Sequence, residues 1–475
     1  MKHLAHRSAF TLAWTLALWS QLGLAAEPVP APQASASASA AARFSPKQLQ
    51  EDLRFIQQEI ARIHPDLGQS ADRQQLELAY RRAEAELQRG HLSRDQAWLV
   101  LSRLNPVFAD AHLLVNPADR VAQTKAHLGN GGRLFPFEVQ VGADGQVHIR
   151  SQLGGAKSLL SGARIDKING QPASDIAKEL LARTPGDTAA FRANVLSHRW
   201  HYFFWQLYGA PSEYELQIDQ AGKHSKLLVE GSSARPLLAQ DQSFEDVYKF
   251  ELLANQTALL TIKSFYWEDK PRFAAFVERA FERIKSAQVK HLVIDVRDNG
   301  GGDDDMWKVP VLRYIADKPF RNGSDYVKMV IAGRASGEEK VGDIVHGQGD
   351  TWVQPEPEHP LRFAGQTYVL IGRSTYSSAV LFSNVVQDFG FAKLVGSEGY
   401  VRSRTSGGIQ IIKLPHTGLT LVAPRFVLSR PSGLRTPVLL QPDIVLPDSP
   451  FDDHELVRGL TQHIAASQGA APTQR

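Results

Sequence analysis

Tyr368-Val-Leu-Ile-Gly-Arg-Ser-Thr-Tyr-Ser-Ser-Ala-Val-Leu-Phe-Ser-Asn-Val-Val-Gln-Asp388 reads as a buried strand, a polar turn and a helix in direct succession. The apolar run Tyr368 to Ile371 is strand-like, and the stretch from Ser378 to Asp388 is helical. A hydroxyl in the turn Ser374 to Ser378 therefore stands at a strand end, beside the outward-pointing N–H groups that open a helix. That is a useful position for a nucleophilic serine. It is equally a position for a helix N-cap, which serine and threonine favour.

The same alternation continues on both sides. Upstream, Ala258 to Ile262 is a β-type run, and Phe273, Phe276, Val277, Ala280, Phe281 and Ile284 make a helix face. The buried-type strand His291-Leu-Val-Ile-Asp-Val296 follows, and downstream lies the strand Lys393 to Val395. Strand and helix in alternation predict an α/β layered core. Just after His291 to Val296 comes Asn299-Gly-Gly-Gly302, where glycines let backbone N–H groups turn outward and meet a ligand closely. Taken alone, such a run is also an ordinary tight turn. Asp303 to Asp305, which follow, are adjacent acids pointing in different directions, so a solvated loop is expected there and no metal site.

The N-terminal half has a different texture. Ser45, Pro46 and Gln48 supply an N-cap, a first-turn proline and a capping-box partner, and Leu49, Leu53, Ile56, Ile60 and Ile63 recur at helical spacing until Pro65. Two further helix-like stretches run from about 72 to 89 and 93 to 104. From Leu134 to about Val229 short alternating segments with glycine turns predict a strand-rich module, including Gly162-Ala-Arg-Ile-Asp-Lys-Ile-Asn-Gly170. That phrase resembles the strand and turn of PDZ domains, which bind extended peptides at a sheet edge.

Lys2 and Arg7 precede the apolar stretch Phe10 to Leu24, which ends in Gly23, Ala25 and Ala26, the pattern of a secretory signal peptide. Residues 27 to 42, rich in Pro, Ala, Ser and Gln, read as a flexible spacer. Export is expected, to the periplasm in preference to the extracellular medium, with no membrane span left after cleavage. The chain has no cysteine, which removes disulfides, thiol nucleophiles, cysteine-ligated zinc and a lipid-modified cysteine together. A net charge of +3 from 53 basic and 50 acidic residues gives no reason to invoke nucleic acid.

In order along the chain, Glu51-Asp-Leu53, Ile63-His-Pro65, Asp110-Ala-His112, Ile168-Asn-Gly170, Ser264-Phe265, Ile294-Asp-Val-Arg297 with Asn299 to Gly302, Tyr376-Ser-Ser-Ala379, Leu394-Val-Gly396, Thr405-Ser-Gly-Gly408 and Gln441-Pro-Asp443 form a set. The set resembles the S41 peptidases: tail-specific or C-terminal processing enzymes, with the tricorn-core and retinoid-binding relatives that share their fold. The resemblance implies a nucleophile at Ser377. It places Ser378 N–H in the oxyanion hole with a glycine of the Asn-x-Gly-Gly turn, best matched by Gly301, with Gly302 as its neighbour. One branch of the family takes its base from a lysine, but Arg402 stands at that place, and arginine stays protonated. The other branch uses a histidine, and Asp110-Ala-His112 matches its histidine word, so His112 is the expected base. Glu398 is the expected acidic member, although the family's glutamate follows the glycine directly and here Ser397 intervenes. Asp110 and Asp443 are the alternatives.

The resulting expectation is an α/β multidomain chain. It comprises a signal peptide (1–25), a linker (26–43), a helical unit (44–125), a PDZ-like module (126–236), a crotonase- or ClpP-like peptidase core (240–450), and a C-terminal helix with a disordered tail (451–475). The implied activity is serine endopeptidase hydrolysis of a peptide or unfolded protein through an acyl-enzyme, without cofactor or metal. Two alternatives use the same residues differently: a catalytically inactive peptide- or ligand-binding protein on this fold, or a docking module whose work is done by residues 134 to 229.

Overall fold

The computed structural model describes residues 42–469, so the expected signal peptide and most of the linker lie outside the described residues. Its central element is a six-stranded sheet. The order is Tyr248–Leu253, Thr257–Ile262, His291–Asp295, Gln366–Leu370, Lys393–Gly396 and Ile444–Val445. The first pair is antiparallel and every later pair is parallel.

Parallel strands need cover on both faces, and alternation along each strand supplies the two apolar surfaces. Leu260, Leu292, Ile294, Val369 and Leu394 pack with Phe273, Val277 and Phe281 of the helix Lys270–Ser286 and with Val380, Phe382 and Val385 of the helix Ser378–Asp388. Leu259, Val293, Leu370 and Val395 face the other way, onto Leu456, Leu460 and Ile464 of the C-terminal helix Glu455–Gly469. The α/β core expected from the sequence is thus present.

The helix Pro46–Ile63 starts at a Ser45/Gln48 capping box and ends at His64, before Pro65. Helices Arg73–Leu87 and Arg94–Leu101 follow. Next comes a sheet ordered Phe137–Val141, Val147–Gln152, Arg164–Ile168, Glu213–Gln220 and Lys223–Glu230. Asn169 and Gly170, at φ 50° and 80°, make the tight turn after Arg164–Ile168. Two elements in this region depart from the strand-rich reading: a helix Ala173–Leu181 and a 20-residue helix Ala189–Tyr208. The run of Trp, His, Tyr and Phe in the longer helix has high β propensity, but twelve of its residues are buried, and tertiary packing overrides propensity. Apolar residues of the N-terminal helices and of this region belong to one continuous cluster, from Leu49 through Trp200 to Leu421.

Two small sheets carry the chain back to the core. Leu114–Asn116 pairs with Thr420–Ala423, Leu421 opposite Val115, so the segment after His112 is stitched to a strand more than 300 residues later. Thr405–Gly407 pairs with Phe426–Leu428, which also pairs with Asp325–Met329.

Candidate active site

Two turns leave the carboxyl ends of neighbouring parallel strands, the usual site of ligand crevices in open α/β sheets. One is Asn299 to Gly302 after His291–Asp295; the other is Gly372 to Ser377 after Gln366–Leu370, and these strands pair with Asp295 opposite Leu370. They are bound together. Tyr376 N–H donates to Asn299 C=O at 3.0 Å, Ser374 N–H to Arg297 C=O at 3.2 Å, and Thr375 Oγ1 to Val296 C=O at 2.8 Å.

Ser377 occupies the N-cap position of Ser378–Asp388 with φ 54° and ψ −122°, a strained conformation for a side-chain-bearing residue. It makes no side-chain capping bond. A serine there that caps nothing is held in a strand-to-helix turn of the nucleophile-elbow kind. Gly301 abuts it so closely that a Cβ on the glycine would lie 2.6 Å from Ser377 Cβ and 3.0 Å from Ser378 N.

The amides of this corner divide into two sets. Gly301 N–H donates to Asn299 Oδ1 at 2.8 Å, so the expected donor is already occupied, and Gly301 contributes space instead. Among the described residues the N–H groups of Gly302 and Ser378 have no hydrogen-bond partner, which leaves them as the two unengaged donors of this corner. The Ser378 side chain is fully engaged: its hydroxyl lies 2.5 Å from Asp304 Oδ1 and accepts Trp307 Nε1–H at 2.8 Å. This corrects the expectation of a solvated acidic loop. Asp303 and Asp304 are buried, Asp303 pairing with Lys270, while Asp305 alone is exposed. Burial raises the Asp304 carboxyl above the ordinary aspartate range.

His112 is buried at 4% exposure, its ring centroid 4.8 Å from that of Tyr376, the residue before Ser377. Its Nδ1 lies 3.0 Å from Ser406 Oγ, and its backbone N–H donates to Asp110 Oδ1 at 2.7 Å. With Nδ1–H donated to Ser406, Nε2 keeps its lone pair. Burial pushes the imidazole below the usual histidine value, partly opposed by Asp110. Among the described residues no hydrogen bond joins His112 to Ser377; such contacts are often long until substrate is bound.

The structure does not bring Glu398 to His112 by a hydrogen bond. Glu398 is exposed and lies against Tyr400, and the partner of His112 Nδ1 is Ser406 from the strand Thr405–Gly407. Asp443 accepts Leu394 N–H at 2.7 Å and Gln387 Nε2 at 2.9 Å, a structural duty. Asp110 is near, but bonds the backbone of His112. Arg402, at the place of the family lysine, donates through Nη1 to Ala109 C=O at 2.5 Å and lies 3.7 Å from Asp187. Asp187, Tyr376, Asp304, Trp307 and Ser406 carried no assigned role in the sequence reading. Tyr376 and Ser406 lay in words of the set, Tyr376-Ser-Ser-Ala379 and Thr405-Ser-Gly-Gly408, and Asp304 in the acidic run, whereas Asp187 and Trp307 lay in none.

Residues 256–446 match the family model described as peptidase family S41. Mature CPAF complexed with lactacystin is similar in fold, at 15% identity, covering 89% of this chain and 98% of that chain with a TM-score of 0.61. A CPAF mutant gives 14% identity, 90% and 99% coverage and a TM-score of 0.62; mature CPAF gives 14%, 89%, 96% and 0.58. No curated protein matches the chain.

Proposed function

We propose, starting from the match of residues 256–446 to the model of peptidase family S41, that this chain is an S41-type exported serine endopeptidase acting on peptide or unfolded protein. Ser377 is the nucleophile and His112 the base. The observation that carries this reading is Ser377 itself, a serine at φ 54° in an N-cap position that makes no cap. A strained residue of this kind persists only where its surroundings hold it, and such residues cluster at reactive sites.

In the proposed reaction His112 Nε2 takes the Ser377 proton and the alkoxide attacks the substrate carbonyl. The oxyanion meets the N–H groups of Gly302 and Ser378, at the positive end of a helix. His112 returns the proton to the leaving amine, and water, deprotonated in turn, releases the acyl group. Ser406 fixes the imidazole through Nδ1, the part an acid plays in other triads. Export rests on the Lys2, Arg7 and Phe10 to Leu24 pattern, and a periplasmic address is part of this proposal. No helix among the described residues is long and apolar enough to cross a membrane.

The test is covalent labelling of the purified protein by a fluorophosphonate, alongside hydrolysis of an unfolded protein substrate. Labelling and hydrolysis lost in both Ser377→Ala and His112→Ala are expected. A folded wild-type protein that neither labels nor cleaves overturns the reading in favour of an inactive binding protein on the same fold.

A further inference from the structure

We infer that the Tyr376 hydroxyl, together with the carboxyl groups of Asp110 and Asp187 that it bridges, is a positioning device holding the loop of His112 against the turn of Ser377. This rests on the Ser377–His112 reading above.

Tyr376 immediately precedes Ser377, so its ring and the nucleophile move as one. Its hydroxyl accepts Ala111 N–H at 3.0 Å and lies 3.2 Å from Asp110 Oδ1 and 3.0 Å from Asp187 Oδ1. Asp110 Oδ1 in turn accepts His112 N–H at 2.7 Å. Asp187 Oδ2 accepts Arg402 N–H at 3.1 Å, and the Arg402 guanidinium holds the Ala109 carbonyl. Every residue from Ala109 to His112 is thereby tied, directly or through one carboxylate, to Tyr376 or Arg402. The ring surfaces add to this: His112 packs on Tyr376, and Phe191 stacks on it at 4.9 Å.

The proton inventory gives the device a state. A phenol has one hydrogen to donate and two lone pairs. One lone pair serves Ala111, and the hydrogen serves one carboxylate. A proton carried by the other carboxyl group would serve the remaining lone pair. Asp187, lying close to the Asp110 carboxyl and buried, is the group driven toward the protonated form. The charged groups facing them are Arg402 and Arg192 toward Asp187, and His64 and His112 toward Asp110. Asp110 Oδ2 is buried without a hydrogen-bond partner. Burial, then the Asp110 charge, lifts Asp187 to about 6, in keeping with a retained proton. Arg402, unable to act as a base, has a place here as anchor and counter-ion.

Tyr376→Phe keeps both ring contacts and removes only the hydroxyl; Asp187→Asn keeps the shape and supplies a permanent donor. The fluorophosphonate labelling rate is measured from pH 5 to 8 for both and for wild type, with thermal melting alongside. Tyr376→Phe is expected to label about tenfold to a hundredfold more slowly, the scale of a small misplacement of reacting groups. Wild type is expected to lose rate on the alkaline side as the Asp187 proton leaves, and Asp187→Asn to lack that limb. A labelling wild type matched by Tyr376→Phe at every pH sinks the inference and leaves the Ser377–His112 reading standing. If Tyr376→Phe fails to fold, an Asp187→Asn profile that superimposes on wild type does the same. A wild type that never labels removes the reading and the inference together.

Discussion

The hydroxyl of Ser378 sits 2.5 Å from Asp304 Oδ1, clamping the first residue of the helix behind Ser377 to the loop that follows the glycine turn. Both unengaged amides, of Gly302 and Ser378, are attached to this clamp, Gly302 two residues before Asp304. Ser378→Ala strips Asp304 of a donor and Trp307 Nε1 of its acceptor in a buried corner. The expected cost is about 1–3 kcal/mol of stability, the penalty for buried polar groups left unpaired. Denaturant unfolding measures it, and slower labelling at unchanged Ser377 should accompany it. A variant as stable as wild type would show that the clamp is incidental.

Gly301 offers a sharper steric test. At φ 108° and with Ser377 Cβ 2.6 Å from where its own Cβ would be, it has no room for a methyl group. Gly301→Ala should reduce labelling by about a hundredfold or more, because Ser377, the proposed nucleophile, must shift. Gly170→Ala, at φ 80° with no atom within 4 Å, carries the backbone penalty alone and should label normally. Comparable losses in both would shift the blame from the site to folding.

His112 must be neutral to act as base, so labelling rises with pH through its pKa. Burial lowers that pKa, so the acid limb is expected below the ordinary histidine value of about 6.5. Ser406→Ala frees the ring that Ser406 orients through Nδ1 and should slow labelling by about tenfold to a hundredfold, with Ser406→Thr restoring it. An acid limb above the ordinary value would contradict a buried base.

For Asp187 the sign runs opposite to that of most carboxylates. Its folded pKa is raised from 3.8 to about 6, so the folded state holds the proton more tightly. The corresponding stability is fully present below the unfolded value, falls as pH rises from about 4 to 6, and is constant above. Asp187→Asn should therefore gain on wild type in melting temperature across that interval. Melting curves that keep a constant separation from pH 4 to 7 would refute the assignment.

Much of this was legible in the sequence where the signal is local. The strands His291–Asp295 and Gln366–Leu370 and the helix Ser378–Asp388 announce themselves by apolar runs and spacing, and the Ser45 cap by its residue types. What stayed hidden depends on contacts across the chain. Asp187 meets Tyr376 over 189 positions, and Ser406 meets His112 over 294, with no pattern in between to link them. Glu398 stood out because it lies just past Leu394-Val-Gly396, near the place of the family's glutamate, yet the structure leaves it at the surface. The buried Asp304 looked solvated because composition says nothing of partners. The long helix Ala189–Tyr208 defied its own β-prone residues because the surrounding core covers it.

Asp52 extends the same logic to the dependence of the site on the N-terminal helix. Fully buried on Pro46–Ile63, it accepts His416 N–H and Thr417 N–H at 2.9 Å each and Thr417 Oγ1–H at 2.6 Å. Those residues make the turn before Thr420–Ala423, the strand that holds Leu114–Asn116 and with it the loop of His112. Asp52→Ala leaves two amides and a hydroxyl without their charged acceptor, and each such bond is worth about 1.5–3 kcal/mol. The variant should unfold at lower denaturant. Where it remains folded, it should label more slowly than wild type although Asp52 makes none of the hydrogen bonds of Ser377 or His112. Wild-type labelling in a destabilised but folded Asp52→Ala would mean that the His112 loop is held by the Tyr376 network alone.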